Sequence, residues 1–271
     1  MDISVIIPTY RPADYLWKCL DSLCSQTLDH AAYEIILVLN GEKGMFFSGI
    51  ENYISMHKDT TIRLLYTEKS GVSNARNIGI DNASGRFLCF IDDDDWVSES
   101  YLESLLASAK ADGVVFADIR YYYEDSDRYQ ESYISRVVES NRQRRNITLL
   151  SARRLCNSAC GKIISRNVIG NARFDENYKI SEDTLFMATI SKDIASFCLA
   201  NRDAIYYRRV RQKSATFSRH PIGRLVKNNI SLTWKMMTIY LSAPHRYSIP
   251  FFFLQSLALM KNLVRIVRGI R

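Results

Sequence analysis

Apolar residues along the first 120 positions alternate between two periods. Short runs rich in apolar residues at 3–8, 33–39, 62–67, 87–91 and 113–117 have the length of strands. Between them apolar residues return every three or four positions, as Leu16, Cys19, Leu20 and Leu23 do within 15–25. That spacing predicts helices there and at 47–57, 71–83 and 99–112. Strand and helix in this alternation predict an α/β fold, a mostly parallel, twisted central sheet with helices on both faces. The pattern thins between 120 and 154, and a short strand is expected at 204–207. From 222 onward Leu225, Leu232, Met236 and Ile239 mark a further helix with a core-like face. No internal repeat or low-complexity linker divides the chain.

Where the strand at 87–91 ends, four carboxylates follow at once, Asp92, Asp93, Asp94 and Asp95. Like charges at the end of a buried strand repel, so the fold needs a cation or another reason to tolerate them. A hard divalent ion such as Mg²⁺ or Mn²⁺ prefers carboxylate oxygen and leaves room for phosphate oxygens. The bland alternative is a solvated acidic loop before the next helix.

Composition is that of an ordinary globular chain of 271 residues, 47% hydrophobic and 24% charged. The net charge of +7 hides an asymmetry: residues 1–135 carry 11 basic and 22 acidic side chains, residues 136–271 carry 25 and 7. No acidic residue follows Asp203, so the last quarter is cationic and apolar, which suits an anionic membrane surface. Nucleic acid is not expected as a partner, because the basic residues interleave with apolar runs and no helix-turn-helix, RRM or zinc-finger signature occurs. The start shows no basic and apolar leader pattern, so a cytoplasmic location is expected. The six cysteines lack CxxC spacing and read as reduced thiols.

In open α/β sheets ligands bind outside the carboxyl ends of the strands. Pro8, Thr9, Tyr10 and Arg11 stand at one such end, Asn40 and Gly41 at a second, and the aspartates at a third. The three should converge on a cleft in which Thr9 and nearby backbone bond a base or ribose, Asn40 reads a base edge and the carboxylates hold a metal-bound diphosphate. Simple turn chemistry explains Thr9 or Asn40 taken singly.

Residues 6–11 (IIPTYR), 71–79 (GVSNARNIG), 90–96 (FIDDDDW) and 181–183 (SED), in this order, resemble the motifs of family-2 glycosyltransferases with the GT-A fold. The resemblance covers roughly 3–215. It implies that Asp92 and Asp94 form a DxD pair, with Asp94 the direct ligand of Mn²⁺ or Mg²⁺, Asp92 near ribose and metal, and Asp93 the variable middle position. It implies donor-site roles for Gly71 and Arg76, with a helix-surface arginine paired with a carboxylate as the alternative for Arg76. The Glu182–Asp183 pair supplies the general base, with Asp183 the first choice; a helix N-cap is the alternative for this segment. Arg208, Arg209, Arg211 and Lys213 resemble a basic loop that closes over the diphosphate, with Arg209 taken as the contact, and a solvated loop accounts for some of the four.

An aspartate stands at the position of Asn40 in many members, so uracil is the expected base while cytosine stays open. The Gln-x-x-Arg-Trp motif of processive synthases is absent, so one sugar per binding event is expected. Tyr121, Tyr122, Tyr123, Tyr129 and Tyr133 suit either strand packing or stacking on an acceptor sugar.

The expected organisation is a catalytic domain at 1–215, with its nucleotide-sugar half at 1–117 and its acceptor and base half at 118–215, followed by amphipathic helices at 216–271. Residues 250–260 are apolar except Gln255 and Ser256, and Lys261, Arg265 and Arg268 follow as a cationic stripe. About half the length of a span, this segment suits a helix lying on a membrane surface, or one packed on the core. Together these features predict inverting, metal-dependent, non-processive transfer from a nucleotide-diphosphate sugar to a glycan or lipid-linked acceptor in surface polysaccharide synthesis, at the cytoplasmic membrane face. A nucleotidyltransferase would share sheet and metal, but residues 9–13 (TYRPA) lack its glycine. Asp94 and Asp183 together speak against a non-catalytic sugar-binding protein.

Overall fold

The computed structural model describes residues 1–210 and 222–267. Its strands are β1 (Ile3–Thr9), β2 (Tyr33–Asn40), β3 (Thr61–Thr67), β4 (Phe87–Phe90), β5 (Trp96–Val97), β6 (Gly113–Phe116), β7 (Asp118–Tyr123), β8 (Arg128–Glu131), β9 (Lys162–Ser165), β10 (Ser196–Leu199) and β11 (Ile205–Val210). The helices are α1 (Tyr15–Cys24), α2 (Gly44–Met56), α3 (Val72–Asn82), α4 (Tyr101–Ala107), α5 (Tyr133–Arg142), α6 (Arg166–Ile169), α7 (Glu182–Ile190), α8 (Ile222–Ser242) and α9 (Ile249–Val267).

Every residue of β1 is buried, and the strand pairs in parallel with β2 on one side and β4 on the other. The full order is β10-β6-β9-β4-β1-β2-β3, in which β9 alone among the described strands of this sheet runs against its neighbours. The expected mostly parallel sheet is therefore present, with a reversal at β9. Helix α3 lies close over β1, since a Cβ on Gly79 would meet Ile6 Cγ2 at 2.3 Å; glycine is what lets the helix approach.

Past β4 the chain builds a second sheet of order β5-β11-β7-β8, with β11 parallel to β7 and antiparallel to β5. The expected strand at 204–207 is the start of β11. The helix expected over 99–112 is shorter, ending at Ala107, because turns closed by the Ala109 amide on Leu106 O and the Gly113 amide on Lys110 O lead the chain into β6.

The last two helices form a hairpin packed on the core. Leu232 and Met236 of α8 point inward, as do Phe251, Phe252 and Gln255 of α9. Gln255 donates to Asn157 Oδ1 at 3.0 Å and accepts from Arg153 Nη1 at 2.9 Å. Of the two placements open for this segment, the structure shows one face of α9 on the core. Among the described residues no helix is long and apolar enough to cross a membrane. All six cysteines are free thiols.

Candidate active site

The strand ends meet as expected. Thr9, at the end of β1, is buried and donates from Oγ1 to Asp93 Oδ2 at 2.6 Å. Asn40, at the end of β2, is buried as well and its amide is engaged on both sides: Nδ2 donates to Thr9 O at 2.7 Å, and Oδ1 accepts from the Gly71 amide at 2.8 Å. Asn40 thus brackets β1 to the start of α3. Gly71 holds φ at +142° with open space around its Cβ position, so the backbone conformation rather than crowding requires glycine. Tyr10 and Arg11 sit at the exposed rim, the Tyr10 ring against Gly41 and Arg11 paired with Glu42 at 3.0 Å. Pro8 remains within β1.

Of the four carboxylates, Asp92, Asp93 and Asp94 are half-buried at the cleft, whereas Asp95 is buried. The Tyr206 hydroxyl donates to Asp95 Oδ2 at 2.7 Å and the Arg209 amide donates to Oδ1 at 2.8 Å. Burial, with the charges of Asp94 and Asp92, holds the Asp95 carboxyl well above the usual carboxylate range. Asp95 therefore locks β11 to the acidic turn, and its neighbours face the cleft.

Arg76 joins this turn to the other pair of acids. Only 3% exposed, it donates from Nη2 to Asp92 Oδ1 at 2.8 Å and from Nη1 to Asp183 Oδ1 at 2.6 Å, with Glu182 Oε1 at 3.4 Å. The Phe174 ring lies 5.2 Å below the guanidinium and stacks on Phe186 of α7, while Asn77 of α3 exchanges two hydrogen bonds with the Phe174 backbone. These contacts fix α7 against α3 and so set where Asp183 stands.

Asp183 is no N-cap. The capping position belongs to Ser181, whose φ of 65° is left-handed and whose side chain makes no cap bond, and the acids occupy the first helical turn. Glu182 is pushed up to about 7 by burial and by Asp183, against the opposing pull of Arg76. Asp183 Oδ2 accepts from the Ala159 amide at 3.0 Å and from Ser158 Oγ at 3.4 Å. The turn that supplies these donors is pinned from below by the buried ammonium of Lys162, which donates to Ser158 O and, at 2.9 Å, to Cys160 O. Sequence reasoning assigned Lys162 no role. A lysine inside an apolar strand, Lys162-Ile163-Ile164, was the available signal.

On the far wall Arg209 donates from Nε to Asp94 O at 3.0 Å and pairs with Glu124 at 2.7 Å, so its head group lies on the acidic turn. Arg208 reaches Ser158 Oγ at 3.4 Å. Arg211 and Lys213 lie outside the described residues. The aromatic patch divides: Tyr122 and Tyr129 pack edge-on to Trp96, which stacks on Tyr207, and Tyr129, though half exposed, belongs to this cluster, while Tyr133 is exposed on α5. Lys18 caps the cluster, 3.5 Å from the centroid of the Trp96 ring.

The donors at this turn fit a hard divalent ion. Among the described residues no cluster of three His, Cys, Asp or Glu side chains would cage a metal unaided. Two half-buried carboxylates, Asp92 and Asp94, match instead the manner in which Mg²⁺ or Mn²⁺ is held by one or two acids together with substrate phosphates.

The chain is 34% identical over 140 residues to the uncharacterized glycosyltransferase EpsJ of Bacillus subtilis, covering 52% of this chain and 39% of that protein. It is 27% identical over 263 residues to the minor teichoic acid biosynthesis protein GgaB of the same organism, covering 93% of this chain and 28% of GgaB. The chain thus spans less than half the length of these relatives. Among solved structures, Staphylococcus aureus TarS 1–349 in complex with UDP-GlcNAc superposes with a TM-score of 0.71 at 20% identity, over 91% of this chain and 69% of that one. The mannosyltransferase PcManGT of Pyrobaculum calidifontis, in complex with GDP-Man and Mn²⁺, gives 0.65 at 15% identity, over 98% and 73%. At such identities these likenesses show the GT-A fold. The model of glycosyl transferase family 2 matches residues 4–171, well over half of the chain, and the chain belongs to that family.

Proposed function

We propose that the cleft catalyses inverting, metal-dependent, non-processive transfer of a sugar from a nucleotide-diphosphate donor, UDP being the expected nucleotide, to a glycan or lipid-linked acceptor of surface polysaccharide synthesis. The work is placed at the cytoplasmic face of a membrane. The observation that carries this reading is Arg76, which binds Asp92 through one nitrogen and Asp183 through the other. The acidic turn and the proposed base are thereby held one guanidinium apart, which supports their acting on one bound donor and acceptor.

Asp183 takes the acceptor hydroxyl proton. Arg76 and the Ala159 amide orient its carboxylate, and Glu182 shares the same cation. Thr9 and the Asn40 bracket shape the base pocket, with Tyr10 and Arg11 at its rim. Asp94 and Asp92 would hold Mn²⁺ or Mg²⁺, which when bound neutralises charge on the departing diphosphate. Arg209, held on the acidic turn, adds a second positive charge beside it. Support for a nucleotide-sugar donor comes from the UDP-GlcNAc and GDP-Man bound to the two structural neighbours.

A thermal-shift panel of UDP, dTDP, GDP and CMP, each with and without Mn²⁺, tests the donor assignment. The largest shift is expected from UDP with Mn²⁺; shifts from none of the four would reject a nucleotide site.

A further inference from the structure

The C-terminal hairpin carries a second apolar face that the core does not use. On α8, Val226, Ile230, Trp234, Met237 and Leu241 follow at intervals of four, four, three and four residues. On α9, Ile249, Phe253, Leu257, Met260 and Val264 repeat the same intervals. Such spacing keeps each set on one stripe of its helix. Apart from half-buried Val226 these side chains are exposed, Trp234 at 68% and Phe253 at 66%. Both stripes turn away from the inward residues Leu232, Met236, Phe251 and Phe252 of the same two helices. A hollow of about 500 Å³ opens beside the first stripe, lined by Val226, Ile230 and Trp234 together with Lys227.

Charge identifies what covers this face. No carboxylate follows Asp203, while Arg224, Lys227 and Lys261 are exposed on the two helices. Asp175 and Asp193, on segments that border the hairpin, are already paired with Lys235 at 3.0 Å and Arg246 at 2.5 Å. A second copy meeting this face would set cations against cations. An acidic bilayer supplies the missing anions and takes the apolar stripes into its acyl boundary.

We propose that the outer side of the α8–α9 hairpin docks on an anionic lipid surface, with Trp234 and Phe253 as its inserted anchors. The proposal rests on the membrane-face reading above and extends it from the last helix to both. It also orients the cleft. Helix α7, which begins with Glu182 and Asp183, packs on α8, and Gln255 of α9 is bonded to Asn157, the neighbour of Ser158 at the base. The docking face is thus fixed, through the inward side of the same hairpin, to the elements that carry Asp183 and Ser158.

Deleting α9 is not the test, because Phe251 and Phe252 belong to the core. The double variant W234E/F253E changes only exposed positions. Full-length protein is sedimented with vesicles of phosphatidylcholine containing phosphatidylglycerol, and with pure phosphatidylcholine. Wild type is expected to pellet with the acidic vesicles, and the variant to bind them at least about tenfold more weakly, with an unchanged melting temperature. Undiminished sedimentation of the variant overturns the proposal. So does a lipid-free wild-type dimer that W234E/F253E dissociates, since a second copy would then cover the face. Mn²⁺-dependent UDP binding, read in parallel, reports the donor site: its absence with vesicle binding intact rejects the proposed function and leaves the docking face standing.

Discussion

Arg76 Nη1 lies 2.6 Å from Asp183 Oδ1, an ion pair between residues 107 positions apart, and both partners are mostly buried. Because the other guanidinium nitrogen binds Asp92, the acidic turn after β4 and the first turn of α7 share one cation. Whatever changes the charge at one end is felt at the other.

Arg76→Ala removes the guanidinium that Asp92, Glu182 and Asp183 share. Removing one partner of a buried ion pair costs about 3 kcal/mol or more, read as a lower urea midpoint. Arg76→Lys restores a positive charge, but a single ammonium does not bridge both ends, so stability returns in large part while transfer does not. Wild-type turnover in the lysine variant would show that the bridge is dispensable.

Glu182 gives a pH signature. Its folded value of about 7 lies above the ordinary 4.5, so its contribution to stability is fully present below pH 4.5 and is lost as the pH rises through about 7. Glu182→Gln does not ionise. Its melting temperature should match wild type near pH 4 and exceed it by a growing margin up to about pH 8, with no further gain beyond. An equal difference at every pH would mean that Glu182 does not titrate in this range.

Lys162 is buried, and burial lowers its pKa, so it is a costly residue to keep for packing. Lys162→Met removes the pin beneath Ser158 and Cys160 while filling a similar volume. Melting temperature should fall, since Ser158 O and Cys160 O lose their donor, donor affinity should persist, and turnover of the folded variant should fall by roughly 10–100-fold as Asp183 loses its fixed orientation. A variant that unfolds with no effect on turnover in the folded fraction would make the lysine structural.

Much of the site is legible in sequence because its chemistry stands where strands stop. The aspartates after Phe90-Ile91 and Thr9 after the Ile6-Ile7-Pro8 run are examples, since a short continuous apolar run that gives way to polar residues announces a strand end. The partners of Asp183 are not legible in that way. Ala159 contributes a backbone amide, which any residue carries, and Lys162 acts through carbonyls of a turn. The reversal at β9 is likewise hidden, because a buried strand has the same apolar run in either direction. In α9 the run Phe251-Phe252-Phe253-Leu254 is apolar all round, so spacing alone does not say that Phe251 and Phe252 face the core and Phe253 does not. That the Asn40 amide ties Thr9 to Gly71 is also hidden, because this use of the side chain depends on where the start of α3 lies.

The proposed function requires that Asp94 and Asp92 receive a metal-bound nucleotide diphosphate while Asp183 serves a separate step. Calorimetry of UDP binding with Mn²⁺ and with chelator, on wild type, Asp94→Asn and Asp183→Asn, tests this most directly. The predicted result is Mn²⁺-dependent binding by wild type and by Asp183→Asn, and its loss in a folded Asp94→Asn. Binding that is indifferent to Mn²⁺, or undiminished in Asp94→Asn, would contradict it.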